Sequence, residues 1–163
     1  MDSDFAGLIH RDHDDLVKRI DRLTLSLQAA ELVEALDAVR LGLFQHATAQ
    51  DQVFRSLTGT DPTLVVDMVT KSAARDHVEQ QAILDALAYF EPGGSSWVEW
   101  AIELRDRALD HAFRSDLLVG DLRRSVSSRT LVKLAGDYTA ERRRMHAQTA
   151  PATIGRLART SSL

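Results

Sequence analysis

Cysteine is absent from the 163 residues, which excludes disulfides, thiolate metal sites and cysteine nucleophiles together. Proline (3) and glycine (8) are scarce, and β-branched runs are few, so sheet and turn-rich architectures give way to helix. Basic residues do not exceed acidic ones: 20 against 24 gives a net charge of −4, without the basic surface that nucleic-acid phosphates demand. No uninterrupted apolar run approaches membrane-spanning length. Residues 1–7 carry Asp2 and Asp4 in place of the basic-then-apolar layout of a secretion signal. Glycine-rich phosphate loops, nucleophile elbows and dinucleotide fingerprints are missing as well, so an ordinary hydrolase or dehydrogenase has no footing. The expectation is a cytoplasmic protein that binds neither nucleic acid nor membrane.

What is present is helical periodicity. Apolar residues recur at alternating steps of three and four in four long stretches, the period of a helix face turned into a bundle core. The first stripe is Ile9, His13, Leu16, Ile20, Leu23, Leu27, capped by Ser3 or Asp4 and ending near Ala29–Ala30. A second helix runs over about 31–57. A third has Asp61 as its cap and Pro62 in its first turn, and a fourth spans about 97–123. The clearest break is Glu91-Pro92-Gly93-Gly94-Ser95-Ser96, with a serine to cap the fourth helix. Ser127 or Ser128 starts a shorter fifth helix through Leu131, Leu134 and Tyr138, with the basic end Arg142-Arg143-Arg144, before an Ala-, Thr- and Ser-rich tail beyond Pro151. The fold class expected is all-α, an up-down-up-down four-helix bundle over residues 1–125. Residues 126–163 add a short C-terminal helix and a tail to the same domain.

Each of the four stripes carries one histidine: His13, His46, His77 and His111. They come with a repeat. Arg11-Asp12-His13 returns as Arg75-Asp76-His77, 64 residues on, and His46-Ala47 returns as His111-Ala112, 65 residues on. Near-equal spacing in helices that reverse direction brings the four imidazoles to one level of the bundle. A lone core histidine needs only a backbone carbonyl as partner. Four at one level, in a dry interior, point to a cation, for which neutral imidazole is a good ligand.

With these residues in place, the sequence resembles the hemerythrin-like (HHE cation-binding) family. The resemblance rests on Asp12-His13, His46 with Gln50-Asp51, Asp76-His77, and His111 with Ser115-Asp116, in that order over about residues 5–125. It implies a four-helix bundle holding two irons bridged by carboxylates, with O2 binding, iron or oxygen sensing, or oxidation and peroxide chemistry as the roles. Carried over, His13, His46, His77 and His111 are iron ligands. The family has Glu four residues after the second-helix His, where this chain has Gln50; on the fourth helix the fourth position is Ser115 and the fifth Asp116. Oxygen-binding members carry an extra His where this chain has Ala73.

On a regular helix the fourth residue on lies about 40° from the His and the fifth about 140° away. Gln50 and Ser115 then face the site, while Asp51 and Asp116 turn in only if a π-bulge carries them there. The candidate metal ligands are therefore His13, His46, Asp51, His77, His111 and Asp116. Two irons are expected if Asp51 and Asp116 face the core; otherwise a single Fe or Zn, or no metal. The alternative is a bundle that has lost its metal and acts through protein–protein contact, with Asp51 and Asp116 as ordinary charges paired to Arg55 or Arg114. Asp12, Asp76 and Asp110 read as surface charges, because neighbours on a helix diverge by about 100°.

Overall fold

The structure is a computed structural model, described here over residues 4–25 and 28–149. Among these residues it is all-helical: α1 Phe5–Asp21, α2 Ala29–Thr60, α3 Leu64–Leu87, α4 Ser95–Ser125 and α5 Ser128–Thr149. Leu27, Ser3 and the tail beyond Pro151 lie outside the described residues.

Local chemistry sets the helix ends. Asp4 caps α1, its Oδ1 accepting from Gly7 N at 2.8 Å. α1 stops at Asp21, well short of Ala29, and a single 3-10 turn Arg22–Thr24 follows. At this end the Leu23 carbonyl accepts from the buried Trp97 indole at 3.1 Å, and Thr24 Oγ1 donates to Asp21 O. Glu31 then reaches back to Gln28 N at 2.9 Å to start α2. Thr63, rather than Asp61, caps α3, accepting from Val66 N, so Pro62 precedes the helix. Gly93, at φ 82, makes the turn before α4, which is capped by Gly94 and not by a serine. The fifth helix is longer than expected, 22 residues against 17 in α1, because Leu134, Tyr138 and Met145 keep one of its faces buried.

α1 to α4 close a ring of neighbours, α1 against α2, α2 against α3, α3 against α4 and α4 against α1; α5 lies on α2 and α1. The core is two apolar clusters with the histidines between them. One takes Leu16 and Ile20 from beyond His13, Val39 and Leu43 from before His46, Ile83 and Leu84 from beyond His77, and Leu104 and Ala108 from before His111. The other takes Ile9, Ala49, Val53, Val69, Ala73 and Val119, on the opposite side of each histidine. Trp97 seals the first cluster, and Trp100 is one-third exposed, stacked on Phe90. Among the described residues no helix is long and apolar enough to cross a membrane.

Candidate metal centre

The alternating stripes bring all four imidazoles together. His13, His46, His77 and His111 are buried, from 0 to 6% exposed. Their ring centroids lie 4.8 Å apart for His13–His46, His13–His111 and His77–His111, 5.4 Å for His46–His77 and 5.8 Å for His46–His111. His13 and His77 thus flank the His46–His111 pair. One ring nitrogen from each of His13, His46 and His111 falls within 4.8 Å of the others, so these three can hold a metal ion.

Around the imidazoles stands a set of carboxylates, each from the preceding helix. Asp12 of α1 lies 3.5 Å from Nδ1 of His46 on α2, with the Tyr138 hydroxyl of α5 between them: it donates to Asp12 and accepts from His46 Nδ1 at 3.2 Å. Asp51 of α2 accepts from His77 Nδ1 of α3 at 3.0 Å. Asp76 of α3 accepts from His111 Nδ1 of α4 at 3.2 Å. An ionised carboxylate can only accept, so these partners fix the ring proton on Nδ1 and leave Nε2 a bare lone pair. That lone pair has no partner in His46, His77 or His111. An imidazole buried this way forgoes about 1–3 kcal/mol of hydrogen bonding unless something accepts the lone pair. A metal ion does.

The fourth link of the series is missing. By the internal repeat, Asp116 on α4 stands where Asp51 stands on α2, and His13 where His77 does. Asp116, however, is exposed and sits 3.0 Å from Nδ1 of His10, one turn before His13. Both ring nitrogens of His13 are left without a partner.

Two of the expected ligands therefore need correcting. Asp116 does not face the core, and Asp51 reaches an imidazole's outer nitrogen without joining the lone pairs. α2 and α4 run as unbroken α-helices, so the fifth position after each His stays turned sideways. Arg55 bonds the backbone of Asp51 and not its carboxylate, and Arg114 serves Asp76. Gln50 and Ser115 do face inward as their positions require, and bond each other at 3.2 Å, leaving Gln50 Oε1 buried without a partner.

Sequence reasoning misses Asp12 and Asp76 as site residues. Their signal is the repeated Asp-His pair: a residue about 100° from its own histidine is aimed at the next helix. Asp110, in the third such pair, is exposed. Tyr138 reads from its stripe as packing alone.

Electrostatics agree with neutral imidazoles. Burial, then repulsion from His46, His111 and His77, pushes the His13 pKa well below 6.5; burial, then His77 and His111, does the same to His46. Burial also lowers His111, against the opposing pull of Asp76. Although burial opposes it, hydrogen bonds from His111 and Arg114 hold the Asp76 carboxyl below its usual range. Burial and the Asp12 charge push Tyr138 well above 10, keeping the phenol protonated. Arg142 meets Asp12 at 2.9 Å and Arg114 meets Asp76 at 3.0 Å, with the exposed Arg75 reaching Asp76 from outside at 3.6 Å.

Fold and site together define an all-helical chain with a buried histidine cluster able to hold a metal ion. No family model, curated protein or solved structure matches the chain.

Proposed function

We propose that this chain is a non-haem metal protein with a single transition-metal ion, Fe or Zn, at the centre of a hemerythrin-like up-down-up-down bundle. The observation that carries the reading is the set of Nε2 lone pairs on His46, His77 and His111, each paired with a carboxylate or tyrosine on the far side of its ring. His13 brings the fourth imidazole, and with His46 and His111 it makes up the three whose ring nitrogens lie within 4.8 Å of one another, with His77 beside them. The topology is supported by the two apolar clusters, which take residues alternately from beyond and before the histidines as the chain passes from α1 to α4.

One ion suits this shell better than two. Three carboxylates surround it, and Arg114 and Arg142 already answer two of them. A divalent ion leaves a small residual charge in the interior, whereas two irons add at least two further positive charges with no bridging carboxylate to meet them. An open or exchangeable coordination position would suit a small ligand such as O2 or peroxide, in binding or in sensing.

Metal content of freshly purified protein, expressed in iron-supplemented medium, tests the reading. About one metal per chain is expected; a ratio near zero refutes it. Intense oxo-iron absorption in the near ultraviolet would replace the mononuclear assignment by a di-iron one. The Gln50–Ser115 hydrogen bond favours one other reading, a metal-free scaffold in which these residues merely tie α2 to α4. Replacing both His46 and His111 with Leu separates them: the metal protein loses metal and melting temperature, the scaffold keeps or gains stability.

A further inference from the structure

We infer that His13 is the exchangeable ligand of this centre, and that its coordination position is where a small monodentate anion enters. The inference rests on the proposed metal site and adds to it which of the four imidazoles gives way.

The four histidines are alike in burial but not in support. His46, His77 and His111 each hand the Nδ1 proton to an oxygen of fixed position, which orients the ring and makes Nε2 a stronger donor. His13 has no such support at either nitrogen. The repeat shows what is missing. Asp51 reaches His77 from the fifth position after His46; Asp116, at the fifth position after His111, is held 3.0 Å from His10 at the surface. His10 itself is exposed and is held from its other side by Asp14, 3.8 Å from Nε2. No hydrogen bond orients the His13 ring, which stands against the rings of His46 and His111.

Charge decides the class of the incoming ligand. The supporting carboxylates are largely met by Arg114 and Arg142, and every candidate inner ligand is neutral, so a divalent ion here carries charge the interior has not balanced. Exchange of neutral His13 for an anion removes part of that charge. Exchange of His77 or His111 would instead put at risk the hydrogen bond its ring donates, to the part-buried Asp51 or to Asp76, which would be left to Arg114.

The test uses Co(II) as the metal and azide as the anion, on the full chain. An outer-shell partner is worth about 10–100-fold in metal affinity, so His13→Ala should raise the Co(II) dissociation constant by that factor less than His111→Ala does. Azide and imidazole should bind more tightly to Co(II)-loaded His13→Ala than to wild type, by filling the vacated position. In Co(II)-loaded wild type, which needs no substitution, azide should move the His13 ring signals out of the strongly contact-shifted set in proton NMR, leaving those of His46 and His111 in it. His13→Ala losing Co(II) as completely as His111→Ala overturns the inference, as does azide binding that leaves His13 in the contact-shifted set. A wild-type chain that takes up no Co(II) refutes the metal centre itself, and a chain that binds Co(II) but keeps His13 through azide binding refutes only the exchange.

Discussion

Asp76→Asn separates a carboxylate that tunes a metal ligand from one that merely ties two helices. Asp76 is 3% exposed: its Oδ2 accepts from His111 Nδ1 and Arg114 Nε, each at 3.2 Å, and its Oδ1 lies 3.0 Å from Arg114 Nη2 and 3.6 Å from Arg75 Nη2. Asparagine keeps one acceptor oxygen and loses the charge. If that oxygen takes the place of Oδ2, it still accepts from His111 and Arg114 Nε, and the amide NH2 meets only Arg114 Nη2. If it takes the place of Oδ1, the NH2 faces both His111 Nδ1 and Arg114 Nε, and donation to His111 forces the ring proton onto Nε2, which removes the lone pair a metal would use. A hydrogen bond to a charged group contributes about 1.5–3 kcal/mol, and Arg114 is over one-third exposed, so solvent discounts its share. The expected loss with chelator present is about 2 kcal/mol, or a fall of about 4–8 °C in melting temperature for a chain of this size. Metal affinity should fall by about 10–100-fold besides. Urea unfolding in chelator gives the first quantity and competition titration with a chromophoric chelator the second. A variant that loses stability but binds metal as wild type does would refute the lone-pair argument, leaving Asp76 as a strut between α3 and α4.

The repeat-related pair Asp51 and Asp116 should part company: Asp51→Asn costs about 10–100-fold in metal affinity and Asp116→Asn leaves it unchanged, because only Asp51 touches a candidate ligand. Equal losses in the two titrations would mean that Asp116 turns inward after all. Stability of the metal-free chain should fall as pH drops below 6.5: His13, His46 and His111 have folded pKa values under that of the unfolded chain, so the unfolded state takes up protons first. Each such group contributes a slope of up to about 1.4 kcal/mol per pH unit, read by urea unfolding across the acid range, and a flat profile from pH 7 to 5 contradicts it. The Asp76 contribution persists above 3.8 and disappears at lower pH, as the acid titrates through its depressed folded value. Gln50→Glu buries a carboxylate where the glutamine is fully enclosed, so it should destabilise the chain in chelator by about 3 kcal/mol or more, and recover much of that with metal. An equal loss with and without metal places Gln50 away from the ion.

The helical class and the four-histidine level were legible because both rest on periodicity. An apolar stripe stepping by three and four fixes which way a side chain points on its own helix, whatever the partner. His13, His46, His77 and His111 each occupy a stripe position, and all four are buried together. Helix ends were less legible where the deciding partner is remote in sequence. Where α1 ends, the Leu23 carbonyl meets the Trp97 indole, 74 residues away, and no composition signal near Ala29 records that partner. The full length of α5 was likewise hidden: its stripe through Leu134 and Tyr138 is legible, but Met145, beyond the basic run Arg142-Arg143-Arg144, is buried as well.

Within the site, the carboxylates serve rings other than those of their own helices. A search along each helix from its own histidine looks at the fourth and fifth positions, and there it finds Gln50 and Ser115 facing in, with Asp51 and Asp116 turned aside. What neighbouring helices supply is invisible to such a search. The residue just before a histidine points about 100° from it, toward the next helix of the ring, and so Asp12 serves His46 and Asp76 serves His111. The same sideways turn takes Asp51 to His77. Each of these contacts ties two helices and orients a candidate ligand, so the same bonds serve the bundle and the candidate site. Duplication predicts four such ties. Three are present, and the diversion of Asp116 to His10 sets His13 apart from the other three imidazoles.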